Sequence, residues 1–97
     1  MFNKIAFIGA GSMSEAMISG IINKNVLKSE QIYVTNKNNQ ERLNRLHERY
    51  HIKCEENKQI VVDQADIVIL SMKPYDLKEA VLGLKSLIQP NQLIISV

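Results

Sequence analysis

The sequence predicts an α/β domain built on a doubly wound parallel sheet, with strand order 3-2-1-4-5. Three observations carry this prediction. Short continuous apolar runs, such as KIAFI (4–8) and DIVIL (66–70), have the composition of parallel strands covered on both faces. Longer stretches with helical spacing of apolar residues separate these runs. A glycine-rich turn, Gly9-Ala10-Gly11, stands between the first strand and the first helix. Strand and helix alternating in this rhythm imply right-handed crossovers and helices on both faces of one sheet.

Taken in order, the first strand covers residues 4–8. Met13, Ala16, Met17, Gly20 and Ile21 then recur at helical spacing. Ser12 with Glu15 three residues later fits a capping box and sets the helix start at Ser12. Ala16 and Gly20 are small enough to let this helix approach the sheet closely. QIYVT (31–35) is the second strand, and Asn38 or Asn39 is positioned to cap a second helix with Leu43, Leu46 and Tyr50 on one face. HIKC (51–54) is a short, weaker strand, and residues 57–64 hold a brief helix. After the strand at 66–70, Asp76 and Glu79 repeat the cap-box spacing, and Leu77, Val81, Leu84 and Ile88 continue an amphipathic helix. LIISV (93–97) is a fifth strand and reads as buried.

With 97 residues the chain has enough material for one modest core, and its 45% hydrophobic and 23% charged content is ordinary for a soluble globular domain. The net charge of +2 is small and scattered, which speaks against nucleic acid or a membrane surface as partner. No apolar stretch approaches the roughly 20 residues that span a bilayer. The single Cys54 cannot form an internal disulfide, so a cytoplasmic setting is expected. The sequence stops at QLIISV inside an apolar run, and the chain is expected to be part of a longer polypeptide.

Gly9 and Gly11 occupy the first two positions of a dinucleotide-binding fingerprint of the Rossmann-like kind. Gly9 allows the tight exit from the strand, and Gly11, lacking a side chain, lets a pyrophosphate approach the backbone. The free N–H groups of the first helical turn, on residues such as Ser12 and Met13, and the helix dipole favour such an anion. Ser14 stands at the third position, which serves helix-on-strand packing and tolerates a small residue. A turn that needs two glycines and binds nothing is the alternative.

At the end of the second strand, VTNKNN (34–39) lacks the acidic residue that binds the ribose 2′-hydroxyl in NAD-preferring domains. Asn36 and Lys37 offer donors that suit a 2′-phosphate, so NADP is preferred, with NAD possible. Lys37 as an exposed loop lysine is the alternative. At the end of the fourth strand, Ser71, Met72, Lys73 and Pro74 would lie beside the nicotinamide half of a dinucleotide in the predicted strand order, with Pro74 ending strand pairing. An ordinary strand-to-helix loop fits the same residues. His47, His51 and Cys54 have no metal-ligand spacing, no metal site is expected, and no catalytic residue is named. The charges from Arg42 to Arg49 read as a solvated helix face.

These residues resemble the amino-terminal domain of pyrroline-5-carboxylate reductases. The resemblance rests on IAFIGAGSMSEAM, VTNKN, ADIVILSMKP and LIISV, with Gly9, Gly11, Met13, Ser14, Ala16, Lys73, Pro74 and Ser96 matching the family pattern across essentially the whole chain. It implies reduction of the cyclic imine 1-pyrroline-5-carboxylate to proline with NADPH or NADH, the last step of proline biosynthesis. It implies Gly9, Ala10, Gly11, Ser12 and Met13 on the pyrophosphate, Asn36 and Lys37 near the 2′ position, Ser71 to Pro74 along the nicotinamide ribose, and Asn57 near the adenosine. It further implies a carboxy-terminal helical domain, outside these 97 residues, that forms a homo-oligomer and most of the substrate pocket. Ser14 departs from the more usual alanine. Cofactor domains of hydroxyacid dehydrogenases or deazaflavin-dependent NADP reductases, a nucleotide-sensing module, and a non-catalytic paralogue of the reductase are the competing readings.

Overall fold

A computed structural model describes residues 3–72 and 74–97, residues 74–76 by their backbone. Lys73, one of the expected site residues, lies outside the described residues. Five parallel strands form one sheet: β1 (Ile5–Ile8), β2 (Ile32–Thr35), β3 (Lys53–Cys54), β4 (Ile67–Leu70) and β5 (Leu93–Ser96). Their order is β3-β2-β1-β4-β5, as the sequence predicts. β1 is central because all four of its residues are apolar and buried. It pairs with β2 from Ile5↔Ile32 to Ile8↔Thr35 and with β4 from Ile5↔Ile67 to Ile8↔Leu70.

Side-chain alternation along β1 divides the core in two. Ile5 and Phe7 face one layer, where Ile18 of α1 (Ser12–Asn23) and Leu43 and Leu46 of α2 (Gln40–Tyr50) close over them. Ala6 and Ile8 face the other, packed by Val61 and Val62 of α3 (Lys58–Val62) and Leu84 of α4 (Pro74–Leu84). At the amino-terminal edge of the sheet, Asp66 accepts from the amides of Asn3 (2.6 Å) and Lys4 (3.0 Å). The Lys4 ammonium donates to the Ile60 and Asp63 carbonyls at the end of α3. Among the described residues, no helix is long and apolar enough to cross a membrane.

Four local expectations change. α1 has Gly11 at its N-cap, with no side-chain cap bond, so Ser12 and Glu15 form no capping box. Glu15 is engaged instead by Arg42, Arg49 and Tyr50, whose charge-assisted and hydroxyl bonds outcompete a solvated backbone N–H. Ser14 and Ile18, rather than Ala16 and Gly20, face the sheet; a Cβ at Gly20 would meet nothing within 4 Å. α4 begins at Pro74, ahead of Asp76, and ends at Leu84, short of Ile88, and Val81 within it is 46% exposed. β5 is exposed along its length, because it is an edge strand paired on one side with β4. Of the two cap candidates, Asn39 caps α2, its side chain accepting from the Arg42 amide at 3.0 Å.

Candidate functional site

Strand order reverses between β1 and β4, and the loops leaving the carboxyl ends of β1, β2 and β4 meet there, where ligands of open parallel sheets bind. Gly9 leaves β1 with φ +116°, a conformation that disfavours any L side chain. A Cβ built there would also run into the carbonyl oxygen of Ser71. Position 9 is therefore closed to side chains for two independent reasons. The Gly9 amide donates to Thr35 at 2.8 Å, and the Ser71 amide donates to Ile8 at 2.9 Å, so the three loops start from one hydrogen-bonded junction.

Gly11 differs. Its backbone is extended (φ −83°, ψ −168°), which any residue adopts, and a Cβ there would meet nothing within 4 Å. The space before it is open, and the first-turn N–H groups of α1, including those of Ser12 and Met13, have no intrahelical acceptor. Ser12 and Met13 are exposed beside this opening. The buried Ser14 donates its hydroxyl to the Gly9 carbonyl at 2.7 Å, so the third fingerprint position packs helix on strand and ties the turn as well.

A cleft of about 110 Å³ adjoins the turn on the α3/α4 side, lined by Gly9, Asn36, Lys37, Lys58, Met72 and Glu79 among others. Its size suits one end of a dinucleotide rather than the whole, since complete ligand pockets run from about 300 Å³ upward. Lys37 extends into solvent and lies 3.8 Å from Glu79 of α4. Asn36 turns its amide back into its own loop, donating to the Asn39 carbonyl (2.9 Å) and accepting from the Asn39 amide (3.2 Å). Asn57 caps α3 through the Gln59 amide and does not line the cleft; its neighbour Lys58 does. Met72 is half-buried between the cleft and the core. Pro74 opens α4, and its side chain is outside the described residues.

Several residues at this site escaped sequence reasoning. Glu79 places a carboxylate in the cleft from a helix more than 40 positions beyond Lys37. Lys58 supplies a second ammonium. Arg42 is the largest change: its side chain is 22% exposed and turned inward, not part of a solvated face. Nε donates to the Ala10 carbonyl at 2.6 Å, and the guanidinium reaches the Gly11 carbonyl at 3.3 Å and Glu15 at 2.7 Å. The Tyr50 hydroxyl (2.7 Å) and Arg49 (3.3 Å) complete the shell around Glu15. The Tyr50 hydrogen bond first, then that of Arg42, holds the Glu15 carboxyl below its usual range. Burial, followed by Glu15, pushes the Tyr50 phenol up. Burial and then Glu55 push the Cys54 thiol up to about 11, which leaves it protonated and unreactive near neutrality.

A family model described as NADP oxidoreductase, coenzyme F420-dependent, matches residues 4–97. The chain belongs to this family. As an NADP oxidoreductase-family domain it is 51% identical over 94 residues to pyrroline-5-carboxylate reductase 1 of Bacillus subtilis, covering 97% of this chain and 32% of the relative. It is 45% identical over 94 residues to pyrroline-5-carboxylate reductase 2 of the same organism, with 97% and 34% covered. A solved pyrroline-5-carboxylate reductase of Coxiella burnetii superposes with a TM-score of 0.91 at 26% identity, over 100% of this chain and 36% of that one. The chain thus spans about a third of the length of the curated relatives it matches.

The Glu15 shell has a pH signature. A carboxyl whose folded pKa is lowered contributes stability that is fully present above its unfolded value of about 4.5 and is lost as pH falls through the lowered one. Glu15→Gln is expected to melt earlier than the parent at pH 7, with the gap closing below about pH 4 as the parent carboxyl protonates. A gap of the same size at both pH values, in thermal melts followed by circular dichroism, would show that Glu15 acts by shape rather than charge.

Proposed function

We propose that residues 1–97 are the cofactor-binding domain of a pyrroline-5-carboxylate reductase, an enzyme that reduces 1-pyrroline-5-carboxylate to proline with NADPH in proline biosynthesis. The 51% identity to a Bacillus subtilis reductase carries this reading. The open space at Gly11 supports it, since a dinucleotide's pyrophosphate needs an approach to the backbone that a side chain would block. NADPH supplies the hydride that reaches the imine carbon, while the imine nitrogen gains a proton. In this reading Gly9 shapes the turn, its own amide being taken by Thr35, and the amides from Ala10 and Gly11 to Ser12 and Met13 hold the pyrophosphate. Lys37, with Asn36 shaping its loop, receives the 2′-phosphate. Asn57 orders the loop under the adenosine, and Ser71, Met72, Lys73 and Pro74 wall the nicotinamide side. A carboxy-terminal helical domain supplies the substrate pocket and a homo-oligomer interface, and the protein works in the cytoplasm. NADH is a second cofactor, favoured by Glu79, the carboxylate lining the cleft that can accept from a 2′-hydroxyl.

Three outcomes test the proposal. The full-length protein should oxidise NADPH only when 1-pyrroline-5-carboxylate is added, followed at the nicotinamide absorbance; no turnover removes the reductase assignment. Gly11→Val should keep the fold, at a cost of about 1 kcal/mol for a poorer N-cap since its backbone and Cβ space are permissive, yet abolish NADPH binding in calorimetry. Retained binding counts against a pyrophosphate at this turn. Lys37→Glu should weaken NADPH by about tenfold or more, ~1.4 kcal/mol, and bring NADH ahead of it. Unchanged preference would place the 2′ group elsewhere.

A further inference from the structure

Three consecutive peptide carbonyls of the glycine turn are held by donors from the protein. The Gly9 carbonyl accepts from the Ser14 hydroxyl (2.7 Å), and the Ala10 carbonyl accepts from Arg42 Nε (2.6 Å). The Gly11 carbonyl accepts from the Glu15 amide (3.0 Å) and from the Arg42 guanidinium (3.3 Å). The peptide bonds of the described residues are trans, so each plane directs its N–H opposite to its carbonyl. Fixing these three carbonyls turns the N–H groups of Ala10, Gly11 and Ser12 away from the protein's own acceptors. Successive amides presented in this way form an anion-binding concavity.

We propose that Arg42 is the positioning residue of this concavity. Reaching over from the first turn of α2, it locks the Ala10–Gly11 and Gly11–Ser12 planes before a ligand arrives. The inference rests on the dinucleotide-binding reading and assigns Arg42 a role in the same site. The peptide entering Gly11 is the one that most needs a lock, because glycine offers little steric resistance to rotation. A flipped plane would present a carbonyl oxygen, not an N–H, to a phosphate. The lock is itself held: Glu15 takes the guanidinium at 2.7 Å, and Arg49 and Tyr50 hold Glu15. Glu15 also neutralises the charge of Arg42, which therefore works on the carbonyls rather than as a free cation for the ligand. The Arg42 amide is fixed by Asn39, which Asn36 fixes in turn, so one chain of bonds joins the loop after β2 to the turn after β1.

The test compares the parent full-length protein with Arg42→Met and Arg42→Lys by calorimetry, using NADPH and adenosine 2′-monophosphate, which has no pyrophosphate. Both variants should bind NADPH about tenfold more weakly, the scale of one lost hydrogen bond to a charged group, and adenosine 2′-monophosphate as the parent does. Lysine should not rescue, since it keeps the charge but lacks the planar fork. A second measurement needs no variant: the Gly11 and Ser12 amides of the ligand-free parent should show 15N order parameters near 0.85, as in rigid backbone. Unchanged NADPH affinity in both variants, full rescue by lysine, equal loss of both ligands, or values below about 0.6 for those amides overturns the role of Arg42. A parent that binds no NADPH overturns the dinucleotide reading, and this inference falls with it.

Discussion

The approach of the Gly9 backbone to the Ser71 carbonyl is the constraint on which the crevice depends. At this point the chain leaves β1 with a positive φ, and the loop leaving β4 passes where a Cβ would otherwise be. Gly9 bonds to the end of β2, while Ser71 bonds to the end of β1. One residue without a side chain therefore sets how closely three strand ends converge. A bulkier residue would have to spread β1 from β4 at the position where strand order reverses. The pairing of the sheet and the shape of the crevice are the same problem, solved at one position.

Electrostatics in the adjoining cleft is finely divided. Two ammonium groups, Lys37 and Lys58, face one carboxylate, Glu79. The Lys37–Glu79 pair is long and its side chains are 69% and 78% exposed, so it contributes little to stability. A weak pair is easily exchanged: a phosphate carries more charge than a carboxylate and offers three acceptor oxygens. Lys37 can change partner at small cost, and Lys58, half-buried beside it, keeps the cleft positive while it does. The exposed pair is thus better understood as a reservoir of charge than as a strut.

The strands and their order were legible because buried parallel strands leave continuous apolar runs, and the glycine turn was legible because its spacing follows from backbone geometry. The α2 cap could be narrowed to Asn38 or Asn39 because a cap bond is local. What could not be read was long-range. Glu15 has the spacing of a capping box, but its partners sit at positions 42, 49 and 50, and no local pattern records them. Arg42 lies in a run of charges that looks like any solvated helix face until α2 is packed beside the turn. The phase of α1 was ambiguous, since Ala16 and Gly20 offer small residues while Ser14 and Ile18 offer one small and one apolar residue. Packing chose the second pair. The apolar run 93–97 reads as buried from composition alone, although the predicted order 3-2-1-4-5 already gives it an edge place, paired on one side only.

Ser14 shows how a substitution at a packing position can acquire a second task. The third position of the fingerprint must be small so that the helix can lie close to the strand, and Ser14 is fully buried there. Burying a hydroxyl without a partner costs free energy, so the side chain must find an acceptor within reach. The Gly9 carbonyl, five residues back, meets that need at 2.7 Å. Glycine or alanine would satisfy the packing and leave that carbonyl free to rotate. The serine converts the demand of its own hydroxyl into a restraint on the peptide that leaves Gly9.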